Sequence, residues 1–152
     1  MSALPQPIFA IERIYLKDMS VEVPNAPEIF LEADAPTVEV NITTDGRMMQ
    51  EGVFEVTVGV TLTAKLKEKT VFLVELAQAG LFQIRNIPEQ DIPPLLGIAC
   101  PNTLFPYLRE SVSSLTSRAG FTPVILAPMN FEGLYQQRMQ QLAQQEQAAK
   151  SN

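Results

Sequence analysis

The stretch that most constrains the fold is VFEVTVGVTLTAKL, residues 53–66. Apolar side chains fall on every second position, at Phe54, Val56, Val58, Val60, Leu62, Ala64 and Leu66. The positions between them, Glu55, Thr57, Gly59, Thr61, Thr63 and Lys65, are polar or small. Side chains alternate across a strand, so a period of two predicts one long strand with a buried face and a solvated one. A solvated face points to an antiparallel sheet, because parallel sheets are covered on both sides. KEK at 67–69 predicts a tight connection into a second strand over about 70–85.

That second strand breaks the pattern. Phe72, Val74 and Leu76 take one face, but Val71 and Leu73 take the other, with Glu75 among them. Either a central strand carries scattered exposed apolar groups, or something covers its second face. TVEVNITT at 37–44 alternates again, with Val38, Val40 and Ile42 inward and Glu39 and Asn41 outward. Residues 8–23 are strand-like, with a phase that slips from Phe9 and Ile11 to Ile14 and Leu16, then to Met19, Val21 and Val23. Such a slip predicts a bulge or a bend, and it places Asp18, Ser20 and Glu22 on one face. Between these strands, PNAPEIFLEADAP at 24–36 holds three prolines and reads as a long connection. Its Ile29, Phe30 and Leu31 either pack onto the domain or form a binding surface.

From about residue 89 the period changes. Leu104, Leu108, Val112 and Leu115 mark one face of a helix, widened by Phe105 and Tyr107 and expected to start near residue 103. Pro106 then falls in the first turn, where its missing N–H breaks no helical bond. Gly120 is a natural C-terminal cap, FTPVILAP is extended, and a second helix starts near Asn130 with Phe131, Leu134 and Tyr135 as its apolar face. The glutamine-rich remainder predicts a domain over 1–138 followed by a mobile tail over 139–152. Strands followed by helices define an α+β fold: a four-stranded antiparallel sheet with two helices packed on one face.

The chemistry is constrained by what is missing. The 152 residues contain no histidine, which rules out Ser-His-Asp and Cys-His arrangements within one chain and makes a zinc site improbable on carboxylates alone. Neither GxxxxGK[ST] nor GxGxxG occurs, so no nucleotide cofactor is expected, and no other cofactor or metal. The net charge of -6 argues against nucleic acid and for a basic partner. One cysteine allows no internal disulfide, MSALPQPIFA lacks the features of a signal peptide, and no apolar run approaches the roughly 18–20 residues of a span. A cytoplasmic protein without direct membrane insertion is expected.

Cys100, just before Pro101, is either a thiol near a helix N-terminus or a small buried group, with burial favoured because no histidine can act as its base. Asp18, Glu22, Glu39, Glu55 and Glu75 are expected on the polar sheet face, as a solvated acidic surface or as a docking face. Arg109 serves either an interface or an ordinary surface ion pair. A small-ligand or enzymatic domain would need a buried ionisable group, for which the sequence offers no good candidate. An adaptor with a fixed folded partner would be told apart by preferring native to unfolded targets.

CPNTLFPYLRE at 100–110, SRAGF at 117–121 and LAPMNFEGLY at 126–135 resemble the SecB family of bacterial protein-export chaperones. RIYLKDMSVEVPNAP at 13–27 and FLVELAQAGLF at 72–82 agree, so the resemblance runs from about residue 8 to 138. Met129, Glu132 and Gly133 stand where the family more often has Val, Asp and Ala. The resemblance implies a non-enzymatic chaperone that holds precursor polypeptides unfolded and delivers them to the SecA translocation ATPase, as a homotetramer built as a dimer of dimers. It implies SecA docking on Asp18, Glu22, Leu73 and Glu75, which would explain an apolar Leu73 on a polar face. It implies a client groove of Ile29, Phe30 and Leu31 with Phe131, Leu134 and Tyr135, and oligomer contacts at Val74, Leu76, Gln78, Leu104 and Leu108.

Overall fold

The computed structural model describes residues 4–151. Four antiparallel strands, β1 (Ile8–Glu22), β2 (Thr37–Gln50), β3 (Val53–Leu66) and β4 (Lys69–Arg85), form one sheet in the order β1-β4-β3-β2. The connection after β1 therefore runs from one edge of the sheet to the other, with a short 3-10 turn at Glu28–Leu31. Two helices follow, α1 (Cys100–Arg118) and α2 (Phe131–Lys150).

The even positions of β3 and β4 face α1 and form the core. Val56, Val58, Leu62, Val74 and Phe82 are fully buried, against Leu104, Leu108 and Val112 of the helix. Each fully buried side chain of this kind contributes about 1.5–3 kcal/mol relative to exposure. The odd positions form the open face.

Several elements differ from the sequence reading, each for a physical reason. Val71 does not share the open face with Leu73. Ala64 pairs with Phe72 and Lys65 with Thr70, so Val71 is an extra residue in β4, and it is buried at 3% exposure beside Ile29, Leu66 and Phe121. A bulge places neighbouring side chains on one face, which removes half of the anomaly and leaves Leu73 alone. β2 runs six residues past the expected 44, through Asp45 and Gly46, because pairing with Thr57 and Val56 continues there.

The main helix does not begin near residue 103. Helical turns start at Glu89 and run through a wider π turn at Leu95–Ala99 into α1, so Pro106 lies inside the helix. The π turn ends at Ala99, and Pro101 stands in the first turn of α1, where a missing N–H is tolerated. Pro106 leaves the Asn102 carbonyl without its helical donor, but Asn102 is exposed, so water can serve it. At the other end Gly120 has φ +97, and the Phe121 N–H donates to the Thr116 carbonyl at 3.1 Å, which closes the helix.

α2 is capped by Asn130, whose Oδ1 accepts the Gly133 N–H at 3.0 Å. It continues through the glutamine-rich stretch expected as a tail, as far as Lys150. Gln, Ala, Lys and Glu are good helix formers, which accounts for the regular backbone although every residue from Gln136 to Ser151 is exposed. The expected domain start at residue 1 and tail end at residue 152 lie outside the described residues.

Candidate functional site

Three surfaces present chemistry that the core does not use. The first is the open face near the ends of β1 and β4. Strand register sets Asp18 opposite Ala77, Ser20 opposite Glu75 and Glu22 opposite Leu73. Asp18, Glu22, Leu73 and Glu75 thus form one patch on two neighbouring strands, with the three carboxylates exposed and Leu73 half-buried among them. The irregularity in β1 between Leu16 and Asp18 brings this about, since residues before it point outward at odd numbers and those after it at even numbers.

Glu55 lies on the same face but is not solvated. It is 7% exposed, and its Oε1 accepts from Lys17 Nζ at 2.8 Å and from Arg47 Nε at 3.1 Å. The Tyr15 hydroxyl donates to Oε2. The lysine hydrogen bond, helped by those from Tyr15 and Arg47, holds the carboxyl down at about 2 despite burial. Burial and the neighbouring carboxylate push Tyr15 up to about 12. This corrects the expectation of five equivalent acids on a wet face, because Glu55 is the centre of an ion cluster tying β1, β2 and β3 together.

The second surface is a row of depressions along β2. Ile29 and Phe30 line one with Pro36, Leu66, Val71 and Phe121. Val40 and Ile42 line the next, of about 300 Å³, with the extended segment Val124–Ala127 and Met129. Thr44, Asp45 and Gly46 line a third with Leu96, Gly97 and Tyr135. The Phe30 and Phe121 rings stack at 5.1 Å, and Phe72 meets Phe121 at 4.9 Å.

The six groove residues named from sequence are therefore not brought into one place. Ile29 and Phe30 sit at one end of the row and Tyr135 at the other, where its ring lies 2.5 Å from where a Cβ on Gly97 would be. Phe131 is 2% exposed with its ring against Phe105, Leu31 is 87% exposed, and Leu134 is 42% exposed on α2. The middle depression, lined by Val40, Ile42, Val124–Ala127 and Met129, is not among the groove residues read from sequence. Alternation put Val40 and Ile42 inward; Ile42 is partly buried against the core, but Val40, on the edge strand β2, is 48% exposed.

The third surface is the helix-side face of β1. Phe9, Ile11, Leu16, Met19 and Val21 pair with buried positions of β4, yet each is 39–49% exposed. By contrast Val74, Leu76, Gln78, Leu104 and Leu108, the expected oligomer contacts, are buried by their own chain. Gln78 Nε2 donates to the Tyr15 carbonyl at 3.0 Å.

No surface offers catalytic machinery among the described residues. Cys100 is fully buried and burial pushes its thiol up to about 12, so it is not the reactive alternative. Among the described residues no group of three or more Cys, Asp or Glu side chains is placed to hold a metal ion. Arg109 sits over the Phe105 ring at 5.8 Å. No helix is long and apolar enough to cross a membrane among the described residues.

The α+β layer thus carries an acidic patch on one face and a row of partly apolar depressions on the other, which defines two separate surfaces open to binding. The comparisons narrow this. The preprotein translocase subunit SecB family matches residues 2–142, and the chain belongs to that family. It is 60% identical to the protein-export protein SecB of Dechloromonas aromatica, over 91% of each chain. It is 61% identical to that of Chromobacterium violaceum, over 94% of this chain and 93% of the relative. The fold is similar to that of the SecB-like chaperone Rv1957 of Mycobacterium tuberculosis, solved with a peptide from the HigA1 antitoxin. That match has a TM-score of 0.68 at 21% identity and covers 80% of this chain and 91% of the other. SecB proteins are non-enzymatic chaperones of protein export.

Proposed function

We propose that this chain is an ATP-independent holdase of the cytoplasm that keeps precursor polypeptides unfolded and delivers them to the SecA translocation ATPase. The observation that carries this reading is the separation of two binding surfaces. The apolar row follows β2 at one edge of the sheet, and the acidic patch lies on the opposite face near the other edge. A client in the row leaves the patch free for a partner that receives it. Burial of apolar surface is non-directional, which suits clients of unrelated sequence.

Without nucleotide, holding works by kinetic competition. Ordinary association at roughly 10⁵–10⁷ M⁻¹s⁻¹ gives capture in about 0.1–10 s at about micromolar chaperone. Small domains fold in microseconds to seconds, so slow folders are caught and fast ones escape. The homotetramer, a dimer of dimers, is supported by the uncovered stripe on β1, an edge strand whose apolar face a second copy would bury. Several copies then add avidity along one client chain. We propose residues 1–138 as the chaperone domain, and removing 139–152 is expected to leave capture unchanged.

The test is to dilute a denatured, slow-folding precursor into buffer with and without the protein. Refolding is expected to be delayed at a stoichiometric amount of tetramer and released on adding SecA with ATP. No delay would refute the reading. A delay seen only with natively folded targets would identify an adaptor instead.

A further inference from the structure

The docking reading makes no use of Glu55, the one charged residue in the buried set among the described residues. The open face divides sharply around it. Three successive rows across the sheet, Asp18–Ala77–Gly59–Thr43, Ser20–Glu75–Thr61–Asn41 and Glu22–Leu73–Thr63–Glu39, contain carboxylates and neither lysine nor arginine. Two rows further along, Arg13–Leu81–Glu55–Arg47 carries cations at both edges. Lys17 stands on the boundary. It is the extra residue of the β1 bulge, so it shares the open face with Asp18, its immediate neighbour.

We infer that Glu55 is a positioning residue for the acidic docking patch: it draws Lys17 away from Asp18 and leaves the patch uncompensated. This rests on the docking reading above. Glu55 reaches over β4 at Ala79, the small residue opposite both Tyr15 and Thr57, to meet the bulge from the far side. It holds the residue before the bulge pair, through the Tyr15 hydroxyl, and the bulged lysine itself, through Nζ. Arg47 approaches the same oxygen from β2, so one carboxylate holds two cations close together and offsets their repulsion. Without that charge, Lys17, whose side chain is 43% exposed, is free to fold onto Asp18. A cation there lowers the local negative potential that steers a basic partner.

Four proteins test this: Asp18→Asn, Glu55→Gln, Lys17→Met, and Glu55→Gln combined with Lys17→Met. Each is measured for SecA affinity at low salt, for delay of client refolding and for thermal melting. Glu55→Gln is expected to weaken SecA binding about two- to fivefold with client capture unchanged. Adding Lys17→Met is expected to restore binding to near the starting value, because the compensating cation is gone. A loss through instability alone would persist in the double variant, since it regains no contact. If Asp18→Asn weakens binding but Glu55→Gln does not, or if the double variant is not restored, the inference is wrong and the docking reading stands. If Asp18→Asn leaves binding unchanged, the docking reading falls and takes the inference with it.

Discussion

The two faces of β4 are made by one strand and do opposite work. On the helix side, Phe72, Val74, Leu76 and Phe82 are 0–3% exposed and α1 covers them. On the open side, Leu73, Glu75, Ala77 and Leu81 are at least partly exposed. A covered face is judged by volume and packing, so every methylene counts. An open face is judged by charge and shape toward a partner, and changes there cost the fold little. Stability and recognition can therefore be altered separately on residues one position apart.

The sharpest way to break this comparison is in the core. Leu108→Ala is expected to cost about 2–5 kcal/mol, read from the denaturant midpoint, with partner affinity per folded molecule unchanged. Direct loss of affinity in fully folded protein would mean that the faces are coupled. On the open face, Asp18→Asn with Glu75→Gln is expected to weaken SecA binding about tenfold while melting and client capture stay the same. Equal loss of capture would show that the two binding surfaces are not separate.

The Glu55 cluster is where an open face contributes to stability, and acid should reveal it. Its carboxyl lies at about 2 in the folded chain against an ordinary value of 4.5. The depressed value means that the contribution is complete above the unfolded value and is lost as pH falls toward 2. Glu55→Gln is expected to be less stable than the parent by about 1–2 kcal/mol at pH 7, with the gap closing between pH 4.5 and 2. A gap constant across that range would remove the charge from the explanation. The smallest effect is expected at Cys100→Ala, about 1 kcal/mol from lost packing, with client holding intact in a refolding assay.

Much of the fold was legible because its signals are local. The period of two in residues 53–66 required a half-covered antiparallel strand, and the slip in residues 8–23 required irregularities, which the structure places between Ile11 and Arg13 and between Leu16 and Asp18. The acidic patch could be assembled from the resemblance, and register brings its four residues together. The groove was less legible. Val40 alternates like a core residue with Ile42, which does pack against the core, and nothing in their segment says that β2 is an edge strand.

By itself, then, the sequence determined the α+β class, the strand faces, the absence of histidine chemistry and, through its motifs, the family. These follow from residue type and spacing along the chain. The tertiary structure decided which faces stay uncovered. It turned Val71 into the core, extended the helical run back to Glu89, left the β1 stripe bare and buried Glu55 beneath Lys17, Arg47 and Tyr15. Those outcomes depend on strand order and on what packs across it, and partners such as Glu55 and Lys17, 38 residues apart, meet only when the sheet forms.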